Sequence, residues 1–146
     1  MRIIPVTRAR RGRRGASATE LALLLPILLL LLVACVDFGR IAYGHIAVTN
    51  AARAAAGFGS VNPFTASTQG TWTTQVRQAA IDEMSQMSGF NQSQLTVTAT
   101  SSTSGEPNGM WRVQVSVSYP FQTLITWPGI PHNNTLQRTV VLRGTR

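Results

Sequence analysis

Lysine is absent from this chain of 146 residues, and all 13 of its basic residues are arginine. Cysteine occurs once, at Cys35, which excludes an intrachain disulfide framework and any cysteine-cluster zinc site. Only five residues are acidic, and charged residues make up 12% of the chain, about half the ~25% of an ordinary soluble domain. The two histidines, His45 and His132, stand apart, with no second His or Cys at ligand spacing, so no metal site is expected. No serine or cysteine can be assigned both a base and an orienting acid, so no catalytic residue and no cofactor is expected. Asp37-Phe38-Gly39 spells a kinase magnesium motif, but no glycine-rich loop, paired lysine or catalytic loop accompanies it. Internal repeats are also missing.

The charge that is present is concentrated at one end. Six arginines (Arg2, Arg8, Arg10, Arg11, Arg13 and Arg14) lie in the first fourteen residues, where there is no acid. From Gly15 onward, seven arginines face five acids, a net of only +2 out of the overall +8. The pI of 11.7 therefore describes a tail rather than a basic globular surface. Nucleic acid is not an expected partner, because the cluster has no interleaved aromatics and abuts an apolar segment.

That segment, Leu21 to Val36, reads LALLLPILLLLLVACV, sixteen residues without a charge, and counting back to Ala16 makes twenty-one with Ser17, Thr19 and Glu20 as the only polar members. A bilayer core ~30 Å thick takes about 20 helical residues, so the segment can span it. A run this rich in leucine has no polar face to show water, which disfavours a soluble core helix. Arginine on the leading flank places the N-terminus in the cytoplasm and the residues beyond Asp37 outside.

Three kinds of processing fit a basic stretch followed by an apolar one. An ordinary signal peptide needs small residues before its cut. A lipoprotein signal has a counterpart in Leu32-Val33-Ala34-Cys35, with Cys35 as the lipidated N-terminus. A prepilin-type signal is cut before the apolar run and leaves that run in the mature chain. The residues after Cys35 bear on the choice. A lipoprotein continues as a polar tether, whereas here Phe38, Ile41, His45, Val48, Ala52 and Ala55 recur at helical spacing among alanines that favour helix. The pattern predicts one helix from about Ala16 to Ala56, a rod of about 60 Å. Pro26 is expected to bend it, and Gly57, Gly59 and Asn62-Pro63 to end it.

The octet Arg13-Arg14-Gly15-Ala16-Ser17-Ala18-Thr19-Glu20 has a glycine where a prepilin-type signal is cut and a glutamate fifth after the cut. Gly12 does not fit, since its fifth follower is Ser17. With RGASATELALLLP, the leucine run, VDFGR and IAVTNAARAAA taken together, the stretch Arg13 to Gly57 resembles the TadE-like family of tight-adherence, Flp-type pilus systems. Leu21 stands where that family more often has phenylalanine, which leaves the spacing intact. The resemblance implies a pseudopilin or minor pilin cut by a prepilin peptidase between Gly15 and Ala16. It also implies residence in the bacterial cytoplasmic membrane, with other pilin or pseudopilin subunits and an inner-membrane assembly platform as partners.

Glu20 has two readings. Its carboxylate can neutralise the new α-amine at Ala16, its own or a neighbour's, as subunits pack in an apolar medium. Alternatively Ser17 and Glu20 form a capping box at the helix start.

Beyond the helix, residues 60–72 form a polar connector, and Thr73 to Ser88 a short amphipathic helix with Val76, Ala80, Met84 and Met87 inward and Gly89 as its stop. Gln94 to Thr100 alternates, SSTSGEPNG supplies a turn, and Trp111, Val113, Val115, Val117 and Tyr119 mark a second strand. A proline-bearing loop from Phe121 to Asn134 contains Trp127-Pro128-Gly129. Thr135 to Arg143 is the third strand, with Leu136, Arg138, Val140 and Leu142 on one face. The expected fold class is α+β: a long N-terminal transmembrane helix and a small pilin-like head of one short helix and a three-stranded antiparallel sheet. The expected domains are a basic leader over 1–15, the spanning and extended helix over 16–57, and an extracytoplasmic head over 58–146. A structural and assembly subunit is the leading functional reading, and a lipid-anchored envelope binding protein starting at Cys35 is the alternative. A third reading, from the enzyme class, is a membrane-tethered hydrolase with an unrecognised site.

Overall fold

A computed structural model of the chain describes residues 13–103, 106 and 110–145. The leader arginines Arg2, Arg8, Arg10 and Arg11, and most of the turn SSTSGEPNG, lie outside the described residues. The chain divides into two units, one through Asp37 and one from Phe38 onward.

The first unit is the beginning of helix α1, Arg13–Val61, and its leucines from Leu21 to Leu32 are exposed. Pro26 lies inside the helix without ending it. This is the α-helix expected of the apolar run, long and apolar enough to cross a membrane.

The second unit is an α+β head. The rest of α1 is followed by α2, Gln69–Met84, and by three strands, β1 (Thr96–Ser102), β2 (Met110–Gln122) and β3 (Asn133–Thr145). The strands form an antiparallel meander in the order β1-β2-β3. Val97 lies opposite Val117 across the first pair, and Val115 opposite Val140 across the second. Alternation in β2 puts Trp111, Val113, Val115, Val117 and Tyr119 on the buried face. They pack on Val48, Ala51, Ala52, Ala55 and Ala56 of α1 and on Trp72, Val76, Ala80, Ile81 and Met84 of α2.

Several boundaries differ from the sequence expectation. Helix α1 passes through Gly57 and Gly59 and stops at Val61, where Asn62 closes it. The Asn62 backbone N–H and side-chain amide both donate to the Phe58 carbonyl, at 3.2 and 2.8 Å, and Pro63 then cannot continue a helix. A helix interior ordinarily loses about 1 kcal/mol by having Gly in place of Ala, but Gly59 has a packing reason to be there. A Cβ at that position would stand 3.0 Å from Val113 Cγ1 and 3.1 Å from Trp72 Cζ2. The inward stripe of α1 is accordingly small: Gly44, Val48, Ala51, Ala52, Ala55, Ala56 and Gly59. Phe38 and His45, expected on that stripe, are exposed, because a sheet this close leaves room only for small side chains.

Helix α2 begins four residues earlier than expected and ends four earlier. Trp72 in its first turn packs with Phe64, at 4.6 Å between ring centroids, and with Trp111 at 6.0 Å. That burial recruits residues whose polarity alone reads as connector. Met87 is half-buried just past the helix end, and Gly89 follows with φ +75, a turn rather than a helix stop. Strand β2 continues through Pro120 because β1 covers it only from Arg112 to Ser118, so Pro120, which has no N–H to donate, has a single neighbouring strand. On β3, Leu136, Arg138, Val140 and Leu142 do share the face of the buried β2 residues, but only Leu136 is buried, since β3 is an edge strand.

Candidate functional site

The octet around Gly15 is helical. Gly15, Ala16 and Glu20 are all exposed, and the helix already runs from Arg13. This overturns the capping box for the uncut chain. The backbone N–H groups of Ser17 and Glu20 fall inside the helical ladder, so a box formed by those two residues has no orphan donors to satisfy. The Thr19 hydroxyl instead donates back to the carbonyls of Gly15 at 3.1 Å and Ala16 at 2.8 Å. Ala16 and Glu20 are four residues apart and share one face of α1, within reach of each other. A Cβ on Gly15 would meet nothing within 4 Å, so the fold itself does not demand glycine there; the same holds at Gly39 and Gly57.

Leu21 to Val36 follows as continuous helix, with the leucines exposed all round. Such a surface suits a bilayer or the apolar flanks of like helices, and not water. Cys35 is exposed within this helix. Asp37 is buried, with 1% of its surface accessible.

The head holds a feature that sequence reasoning missed. A pocket of about 550 Å³ is lined by Arg40, Tyr43 and Gly44 of α1, the Met87–Gly89 turn, and the Tyr119–Gln122 end of β2. The Arg40 guanidinium stands 5.2 Å from the centre of the Phe121 ring, a cation–π distance. The Tyr119 hydroxyl accepts the Asn91 N–H at 3.0 Å, which ties the β2 end to the turn before β1. The lining has an arginine, two phenols and amides but no carboxylate, imidazole or thiol, so it offers polar contacts rather than acid–base chemistry. His132 lies elsewhere and bonds to the Thr123 hydroxyl through Nδ1 at 3.0 Å. Among the described residues no three His, Cys, Asp or Glu side chains stand together as a metal site.

Comparison with known families adds one finding. Residues 15–57 match the TadE-like protein family. The TadE-like segment covers Gly15, Glu20, the apolar run and α1 up to Gly57, the stretch that carried the resemblance in the sequence. The match associates the chain with the pilin-like proteins of tight-adherence pili. The sheet and α2 lie outside the TadE-like segment. No match was found among curated proteins or solved structures.

Proposed function

We propose that the chain is a pseudopilin-like structural and assembly subunit of a tight-adherence pilus, without catalytic activity of its own. A prepilin peptidase cuts it between Gly15 and Ala16. It then resides in the cytoplasmic membrane with a single pass, and its head lies on the extracytoplasmic side. Other pilin or pseudopilin subunits and the inner-membrane assembly platform are its partners. One observation carries the reading: the Arg13–Glu20 octet, the exposed apolar run and the inner wall of the head core all lie on a single helix. An assembly subunit needs that continuity, because force or docking applied to the head then reaches the segment held in lipid. The reading with Cys35 as a lipidated N-terminus has less support, since it would remove Gly15 to Ala34 from the segment that matches the family.

In this reading Glu20 acts by its charge. Once Ala16 is the N-terminus, its α-amine is a cation at the edge of an apolar helix surface, and a carboxylate four residues on, or on a neighbouring subunit, offsets it. The Glu20→Gln variant keeps the size and removes the charge. It is expected to be made, cut and inserted normally, yet to give few pili per membrane-inserted subunit. Pilus yield at the wild-type level with normal processing would refute the role given to Glu20.

A further inference from the structure

We infer that the loop between β2 and β3 is a second membrane contact: its tip, with Leu124, Ile125, Trp127 and Ile130, rests in the interfacial layer of the leaflet where the apolar run ends. The inference rests on the reading that Leu21 to Val36 spans the bilayer. The first observation is the depth of the loop along α1. Gly144 of β3 packs at Ser60, Val113 of β2 at Gly59, Leu136 at Gly44, and Phe121 under Arg40. The ring of Trp127 then stacks on Phe38, with centroids 6.4 Å apart and planes 28° from parallel. Along the chain, β2 descends α1 from Gly59 to Arg40, the loop reaches Phe38, and β3 climbs back from Gly44 to Ser60, so the loop holds the lowest of these contacts. Phe38 is two residues beyond Val36, the last residue of the apolar run.

The second observation is what the tip displays. Leu124, Ile125 and Ile130 expose 58%, 39% and 36% of their surfaces, and no Asp, Glu or Arg occurs from Phe121 to Asn134. Apolar side chains turned outward on an uncharged loop are costly in water and suited to an interface, where tryptophan is also favoured. The third is that the tip is built rather than slack. Trp127-Pro128-Gly129-Ile130 closes with the Ile130 N–H donating to the Trp127 carbonyl at 3.2 Å, Pro128 second and Gly129 third with φ +79, the arrangement of a type II turn. At the neck, the Thr123 N–H donates to the His132 carbonyl at 3.2 Å, and the Thr123 hydroxyl and His132 Nδ1 meet at 3.0 Å. A turn of irregular backbone suits the hydrated interfacial layer and not the hydrocarbon. With the helix alone as anchor, the head would be free to tilt and spin; with the loop resting on the surface, it has a fixed face toward the membrane.

The test uses the full chain carrying Cys35→Ala and one new cysteine, at Leu29→Cys, Ile125→Cys or Ser67→Cys, labelled with a polarity-sensitive fluorophore. Each is reconstituted in phosphatidylcholine–phosphatidylglycerol vesicles containing nitroxide lipids with shallow or deep spin labels. The expected result is deep quenching at position 29, shallow quenching at 125 at least twofold above that at 67, and only background quenching at 67, which lies beyond the other end of α1. Ile130→Cys repeats the measurement at a second site and decides the matter should the first variant not fold. Quenching at 29 with positions 125 and 130 behaving like 67 overturns the loop contact while leaving the span in place. Loss of quenching at 29 as well overturns the spanning reading, and the loop contact with it. A label at 125 that is unquenched by lipid, yet shielded from a soluble quencher only at high protein density, assigns the tip to a second copy of the chain and also overturns the proposal.

Discussion

Alanine at Gly59 and alanine at Gly57 should change stability by different amounts, although the two positions are two residues apart in the last turns of the same helix. Both replacements gain the same kind of helix propensity, up to about 1 kcal/mol, reduced near a helix end. At Gly57 the new methyl meets nothing within 4 Å, so the gain stands. At Gly59 it would meet Val113 Cγ1 at 3.0 Å, Trp72 Cζ2 at 3.1 Å and Val76 Cγ2 at 3.4 Å. Ordinary carbon contacts lie at about 3.5–4.0 Å, so the first two partners must withdraw by roughly half an ångström. Neither is free to do so: Val113 is fully buried on the central strand, and Trp72 is wedged between Phe64 and Trp111. Overpacking of this kind costs about 1–3 kcal/mol. The difference between the two variants isolates that cost, since propensity nearly cancels. Thermal unfolding of the full chain in detergent, followed by tryptophan fluorescence, should put Gly59→Ala below Gly57→Ala by about 4 °C or more, taking 4–8 °C per kcal/mol for a head of this size. A Gly59→Ala protein as stable as Gly57→Ala would refute the close approach of α1 to the sheet.

Further outcomes can be read in the same assay. Gly144→Ala should destabilise by about 1–3 kcal/mol, because the added Cβ would strike the Ser60 backbone and the Trp111 indole, whereas Gly44→Ala should cost less, since its obstacle is the movable end of the Leu136 side chain. Tyr119→Phe should lose about 1 kcal/mol by leaving the Asn91 N–H without its acceptor. Met84→Ala, which empties a fully buried site on α2, should cost about 2–5 kcal/mol.

The sheet was legible because strand alternation is a local signal. Val113, Val115 and Val117 alternate with polar residues, and their burial in the structure follows that alternation. The apolar run was legible for a similar reason, as sixteen uncharged residues leave few alternatives. The end of α1 was not, because glycine is read as a stop from propensity, and only the nearness of Val113 and Trp72 shows why Gly59 stays helical. The start of α2 was hidden for a related cause: Gly70, Thr71 and Thr73 are unremarkable on their own, and one of the two aromatic contacts of Trp72 is made with Trp111, far along the chain. In the candidate site, Gly15, Ala16 and Glu20 could be named from spacing, and the helix expected from about Ala16 already held two of them; that it starts earlier, at Arg13, and takes in Gly15 could not be read. The pocket beneath Arg40 was invisible, since its walls come from residues 40–44, 87–89 and 119–122 and no short motif spans them.

The most direct test of the account is the mass and N-terminal sequence of the mature protein recovered from the membranes of its own host. The mature chain is expected to start at Ala16, unacylated at Cys35, and to lack the six leader arginines. A mature chain that still carries the leader, or one that starts at Cys35 with attached acyl groups, would contradict it.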